Sequence, residues 1–166
     1  MDLLRAIEAS QFSVWVRESG SIWSYPTIIF VHSVGLAIIV GLSTAIDLRV
    51  LGFAPDLPMA PMEKLFPIMW VGFWVNALSG LFLAAADAPA MMTSWLFLLK
   101  MGIIGVALVT MACLRRALFR PPTSNRVVSG TSKALAVASL FLWTAAITAG
   151  RLTAYLGPSA DIKGIH

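Results

Sequence analysis

Three basic or titratable side chains lie inside long apolar stretches of this chain, namely His32, Lys100 and Arg151. Ionisable groups at membrane depth are rare and usually functional. A neutral imidazole can ligate haem iron or copper, and nearby Lys and Arg side chains can pair with haem propionates or another anion. These residue types therefore predict a site for a metal-containing or anionic ligand.

The stretches that carry these residues are long enough to cross a bilayer. The chain has 166 residues, of which 58% are hydrophobic and 12% are charged, whereas a soluble domain has about 25% charged residues. A transmembrane helix needs about 20 mostly apolar residues, and four segments qualify, at residues 24–46, 65–86, 94–114 and 134–156. We therefore expect a single all-α domain, residues 1–166, that forms an integral membrane four-helix bundle rather than a soluble or disordered protein.

The residues ahead of the first segment have a different pattern. Between residues 2 and 18, apolar residues recur near helical spacing and charged residues occupy other positions around the helix. A pattern of this kind is typical of a helix that lies in the membrane interface. We predict a short amphipathic interfacial helix over residues 2–18.

Basic residues are distributed unevenly between the two sides of the membrane. Seven Lys and Arg residues fall in the first and third connections, four lie toward the two termini, and the middle connection has none. Because basic connections remain in the cytoplasm, we expect both termini to lie outside. This topology also accounts for the net charge of +4, so we expect no nucleic-acid partner.

Depth brings the three ionisable residues to one level. At about 1.5 Å per residue, His32, Lys100 and Arg151 are expected roughly 12, 9 and 7 to 8 Å from the same outer surface. Thr144, Thr148 and Arg151 follow helical spacing along the fourth segment. Because hydrocarbon cannot hydrogen-bond polar groups, this stripe is expected to face the bundle axis or another protein.

Small and polar residues are expected to complete the site. Asn76 belongs to a polar stripe of the second segment, and Gly35 lies one turn from His32. We predict that His32 is the metal ligand, that Lys100 and Arg151 bind anionic groups, and that Asn76 and Gly35 line the cofactor, with further room from Gly72 and Gly80. The four segments as delimited contain no carboxylate, which disfavours a proton relay, and Asp87 is the only acid expected to approach.

The second axial ligand remains open on the residues alone. The candidates are a five-coordinate iron with no second ligand, a methionine such as Met101, a deprotonated Lys100, or His32 of a second copy. The other histidine, His166, is the last residue of the sequence.

Four motifs in this order resemble a superfamily of bacterial four-helix membrane proteins. They are FVHSVGLAIIVG with His32, DLRVLG with Arg49, FPIMWVGFWVNALSGLFL, and SWLFLLKMG with Lys100, and they lie within about residues 25–115. The superfamily includes the oxygen-independent membrane protoporphyrinogen IX oxidases and the copper-resistance protein D family. The resemblance implies a location in the bacterial inner membrane and an association of His32 and Lys100 with haem b and with activity.

The leading hypothesis is a membrane protein that binds haem b or a related porphyrin through His32. It would take part in electron transfer or porphyrin oxidation with a quinone or porphyrin as partner, and as an enzyme it would be a membrane oxidoreductase with Lys100 as the catalytic candidate. One alternative is copper handling by His32, Met91, Met92 and His166. Another is a cofactor-free accessory subunit, which would act as a homo-oligomer or in a larger membrane complex.

Overall fold

Four long helices dominate the computed structural model, which describes residues 2–86, 88–119 and 128–156. The first three helices are α1 (Asp2–Glu8), α2 (Gln11–Glu18) and α3 (Tyr25–Leu51). A short 3₁₀ turn (Ala60–Lys64) leads into α4 (Leu65–Ala86), which is followed by α5 (Ala88–Thr93), α6 (Trp95–Phe119) and α7 (Gly130–Leu156). Helices α3, α4, α6 and α7 are each long and apolar enough to span a membrane. The protein is an all-α, four-helix membrane bundle, as the sequence predicts.

The first, third and fourth spanning helices are longer than the apolar segments that predicted them. Helix α3 continues to Leu51 rather than residue 46, α6 continues to Phe119, and α7 begins at Gly130. Hydropathy falls at the first charged residue, whereas a helix continues until its backbone is capped. In α3 that cap is Gly52, which adopts the left-handed conformation with φ 105°. The extension places Asp47 and Arg49 inside the helix.

The four spanning helices pack as two antiparallel pairs that α3 and α7 join. Helix α3 lies along α4, α6 lies along α7, and α3 also packs on α7. Apolar side chains from all four helices form the core. Many large apolar side chains point outward instead, and Phe30 and Phe141 are 67% and 73% exposed. An apolar exterior of this extent suits contact with lipid rather than water. The central core residues are Ile39, Ile46, Phe66, Met69, Ala107, Met111 and Trp143.

Helices α3 and α4 approach each other backbone to backbone. A methyl group added to Gly35 would lie 2.7 Å from the amide nitrogen of Asn76 and 2.9 Å from the carbonyl oxygen of Gly72. A methyl group added to Gly72 would lie 2.7 Å from the side chain of Ile38. Small residues allow this approach, which gives membrane helices close van der Waals packing in the absence of a hydrophobic driving force.

The N-terminal segment forms two short helices rather than the single helix predicted over residues 2–18. The break falls at Ala9 and Ser10, where the Ser10 side chain accepts a hydrogen bond from the backbone amide of Ser13 and caps α2. Helix α2 packs against the end of α4, with the rings of Phe12 and Phe82 edge to face at 5.3 Å. This segment is therefore part of the bundle. It packs at the end of the bundle where α3 begins and α4 ends, which we call the N-terminal end.

Polar side chains of α2 cap the last turn of α4. The hydroxyl of Ser13 donates a hydrogen bond to the carbonyl of Ala85 at 3.1 Å, and the guanidinium of Arg17 donates one to the carbonyl of Ala86 at 3.2 Å. The last carbonyls of a helix have no partner within the helix, and a cation there also interacts favourably with the helix dipole. Arg17 additionally pairs with Glu8 at 3.3 Å, so it links α1 to this contact.

Substituting Gly35 by Ala should destabilise the bundle by about 1–3 kcal/mol, because the added methyl group would overlap the backbone of α4. The matched control is Gly41→Ala in the same helix, where a methyl group would meet no atom within 4 Å. Unfolding of both variants in detergent, followed by circular dichroism, measures the difference. Equal stability of the two variants would contradict the close approach of α3 and α4.

Substituting Arg17 by Gln should loosen α1 and α2 while leaving the four spanning helices intact. The charge at the end of α4 should contribute about 0.3–1 kcal/mol to docking, so backbone amides of residues 2–18 should exchange with solvent deuterium faster. Arg5→Gln is the control, because Arg5 is exposed and its side chain has no hydrogen bond or ion pair among the described residues. Identical exchange in the two variants would show that Arg17 does not hold the segment.

Candidate functional site

His32 lies on the face of α3 that meets α4. Its Nδ1 atom is 2.9 Å from the backbone carbonyl oxygen of Asn76 and 3.2 Å from the hydroxyl of Ser79. A carbonyl oxygen can only accept a hydrogen bond, so this contact requires the tautomer in which Nδ1 carries the proton. In that tautomer the side-chain amide nitrogen of Asn76, which is 3.3 Å from Nδ1, donates to the backbone carbonyl of His32 instead. In the neutral ring, Nε2 then has the free lone pair. Within the described residues, no hydrogen bond to Nε2 is present.

Asn76 holds α3 in register beside the imidazole. Its side-chain amide donates a hydrogen bond to the backbone carbonyl of His32 at 2.8 Å, and its own backbone carbonyl accepts from the imidazole. Ser79 is buried and bonds back to the carbonyl of Val75 at 2.6 Å. Asn76 therefore positions the histidine, and this role differs from the direct cofactor contact that the sequence suggested.

The glycines of this region make room for protein atoms. The space beside Gly35 and Gly72 is occupied by the backbone and side chains of the facing helix, and a contact of either glycine with a cofactor stays a prediction. At Gly80, a methyl group would lie 3.0 Å from Cε1 of His32. Gly80 thus accommodates the imidazole itself, one turn beyond Asn76.

Lys100 reaches toward the same region from α6. A methyl group added to Gly150 of α7 would lie 4.0 Å from Nζ of Lys100, and the ammonium is 6.0 Å from the centre of the Phe97 ring. Its charge is close enough to act on His32. Lys100 is partly buried and forms no ion pair among the described residues. Two of the three predicted ionisable residues therefore lie within electrostatic range of each other.

Arg151 and the threonines that precede it face outward. Thr144, Thr148 and Arg151 are all exposed. The stripe therefore does not face the bundle axis, and the alternative, contact with another protein, stays a prediction. The threonine hydroxyls donate to backbone carbonyls four residues earlier, at 2.8 and 2.9 Å, and need no interior partner. The inward face of α7 carries other residues, which are Ser139, Trp143, Ala146, Ala149 and Thr153.

Asp47 is a buried acid that lies just beyond the predicted end of the first spanning segment. The longer α3 includes it, so the prediction that the spans contain no carboxylate is wrong. Its side chain is 0% exposed, and its Oδ2 accepts a hydrogen bond from Ser43 at 3.4 Å. Ser43 in turn lies 3.2 Å from the hydroxyl of Ser139 on α7. The i, i+4 spacing of Ser43 and Asp47, on the same face as Gly35 and Ile39, was the signal that could have located this group.

The remaining predicted residues contribute little to a common site. Met91 is partly buried and Met92 is exposed on α5, and the described residues contain no group of three or more His, Cys, Asp or Glu side chains that could hold a metal. Arg49 instead donates to the carbonyls of Leu57 and Pro55 at 2.7 and 2.8 Å and fixes the connection after α3. Two predicted participants, Asp87 and His166, lie outside the described residues.

Comparisons with known proteins found no relative of this chain. The chain matches no protein-family model, no curated protein and no solved structure.

Proposed function

We propose that this membrane protein binds haem b or a related porphyrin, with Nε2 of His32 as an axial ligand. The observation that carries the proposal is the hydrogen bond from Nδ1 of His32 to the carbonyl of Asn76 at 2.9 Å. Histidines that ligate a metal almost always donate their other ring N–H to a carbonyl or carboxylate, which fixes the tautomer and raises the basicity of the ligating nitrogen. The imidazole of His32 has this arrangement.

The α3–α4 contact limits where such a ligand would lie. Gly35 and Gly72 bring the two backbones together and leave no space between them. A porphyrin bound to His32 would therefore lie on the Nε2 side of the ring, away from Asn76. Haem at this position would supply one-electron transfer, while the protein would fix the ring plane of His32 through Asn76 and Gly80.

Lys100 is the residue best placed to bind the acidic groups of a porphyrin. Its ammonium is near Gly150 and its charge acts on His32, and ammonium–carboxylate hydrogen bonds are stronger than neutral ones. Arg151 follows Gly150 on the exposed side of α7, so it would reach only a group at the rim of the bundle. In a porphyrin-oxidising enzyme, Lys100 would be the candidate residue in contact with substrate.

In this proposal the protein lies in the bacterial inner membrane, with both termini outside and the Arg-rich third connection in the cytoplasm. A quinone or porphyrin would exchange electrons with the bound group. The iron would have no second protein ligand, or would be held also by a methionine, by Lys100 or by His32 of a second copy, and the last of these would make the protein a homo-oligomer.

Purified protein, reconstituted with haem b in detergent, should show a Soret band and one haem per chain or per pair of chains by the pyridine haemochrome assay. The His32→Ala variant should lose this haem, and imidazole added to the variant should restore the Soret position, because the free base occupies the position of the lost ligand. Ser33→Ala is the matched control on α3, since Ser33 is exposed and bonds only to the carbonyl of Ile29.

The other candidate functions predict different outcomes of the same purification. Absence of a Soret band in wild-type protein after reconstitution would reject haem binding. Stoichiometric copper that is lost in His32→Ala would favour copper handling. A stable co-purifying membrane protein, together with unchanged behaviour of His32→Ala, would favour an accessory subunit.

Replacing Lys100 by Met should weaken haem retention by about ten- to a hundredfold, because a charge-assisted contact contributes about 1.5–3 kcal/mol. Lys100→Arg keeps the positive charge and should retain most of the affinity. Haem transfer to apomyoglobin measures the retention of each variant. Equal transfer rates for wild type and Lys100→Met would remove Lys100 from the binding site.

A further inference from the structure

The half of the bundle remote from His32 contains a second polar cluster, centred on Asp47. The two residues are 15 positions apart on α3, which corresponds to about 22 Å along the helix. Asp47 is 0% exposed and bonds through Oδ2 to Ser43, which contacts Ser139 across the α3–α7 contact at 3.2 Å. Ser139 also faces the carboxyl. The other oxygen, Oδ1, is buried and has no hydrogen-bond partner among the described residues.

The part of the chain that the structure describes provides no counter-charge for this carboxyl. The three ion pairs among the described residues join Arg17 to Glu8 and to Glu18, and Arg115 to Glu63, all at the surface. Arg49, on the same helix, is bonded to loop carbonyls. The basic groups near this end of α6 and α7 are exposed, and Lys100 lies at the other end; the exposed groups are Arg115, Arg116 and Lys133.

An ionised carboxylate in this position would be costly. An unpaired charge inside a membrane or a protein core costs several kcal/mol, and such a group is neutralised or paired instead. Two serine hydroxyls can bond to a neutral acid, but they do not replace a cation. The surroundings of Asp47 are therefore suited to the protonated form.

We propose that Asp47, Ser43 and Ser139 form a proton-binding site, in which Asp47 carries a proton in the folded protein and exchanges it with water at the end of the bundle opposite the N-terminal end. On uptake, one O–H bond forms at the carboxylate with a proton from water. On release, that bond breaks and the proton returns to water, and no electrons move. The site does not depend on the proposed haem.

The start of α7 offers a polar route from this site to the surface. Ser132 is buried one turn from the end of the bundle, and its hydroxyl lies 3.0 Å from that of the exposed Ser129. Ser132 and Ser139 share one face of α7, with Leu135 and the small Ala136 between them. Asp47 itself is about 6 Å, or one helical turn, from the end of α3 at Leu51.

Trp143 provides a hydrogen-bond donor that a proton-exchanging site can use. Its indole Nε1 is buried without a partner among the described residues, one turn from Ser139 along α7. The Trp143 and Asp47 side chains both lean toward the level of Ser43 and Ser139, because side chains tilt toward the N-terminus of their own helix and the two helices are antiparallel.

Infrared difference spectroscopy on the full chain in lipid vesicles tests the proposal. Wild type at neutral pH should show the C=O stretching band of a protonated carboxylic acid, and this band should shift in D₂O and disappear reversibly at alkaline pH. Asp47→Asn, which keeps the shape and the neutral state, should lack the band. Asp56→Asn is the control at an exposed aspartate and should leave it unchanged. Ser139→Ala should retain the band at a shifted frequency, because one hydrogen-bond partner is lost.

Three results would overturn the proposal. One is a neutral-pH spectrum in which wild type and Asp47→Asn have the same acid bands, since Asp47 would then be ionised. Another is a band that does not shift in D₂O, since its proton would then not exchange. The third is a band that disappears at constant pH when choline is replaced by Na⁺, which would assign the site to a metal cation instead.

Discussion

The backbone contact between α3 and α4 controls the geometry of the histidine site. Membrane helices gain little from hydrophobic burial against one another, so close packing and interhelical hydrogen bonds must hold them together. Gly35 and Gly72 provide that packing, and the hydrogen bonds between His32 and Asn76 follow from it. A wider separation would take Nδ1 out of reach of the Asn76 carbonyl and leave the orientation of the imidazole unspecified. The glycines are thus as important to the site as the residues that could bind a ligand.

Helix α3 contains both polar sites because it contacts both helix pairs, α4 within its own pair and α7 of the other pair. Near one end it presents His32 to α4, and near the other it presents Ser43 and Asp47 to α7. Between them the same face is apolar and buried, and Ile39 is 2% exposed. The two polar sites are therefore separated by packed side chains, and each can be altered without direct contact with the other.

The sequence predicted the architecture well because hydrophobic length is a strong constraint in a bilayer. The number of spanning helices and the limits of α4 followed from it directly. The limits of α3 did not, because hydropathy falls at Asp47 and Arg49 although the helix continues to the cap at Gly52. Treating that glycine as a C-terminal cap would have placed Asp47 inside the span and revealed the buried acid.

Orientation within the bundle was harder to predict than depth. The level of His32 and Lys100 could be estimated by counting residues, but the outward direction of Arg151 could not. Thr144 and Thr148 appeared to require a polar environment, yet their hydroxyls are satisfied within α7. Asn76 was recognised as part of a polar stripe, whereas its contact with His32 through a backbone carbonyl has no signature in residue type.

The capping of α4 by Ser13 has a consequence for biosynthesis. The hydrogen bond from Ser13 to Ala85 joins residues 72 positions apart, so it cannot form until the ribosome has produced the second spanning helix. During insertion of α3, the short helices ahead of it must therefore lack their eventual partner. Their amphipathic character suits this interval before docking. Their docking onto α4 completes the first helical hairpin, after both α3 and α4 have entered the bilayer.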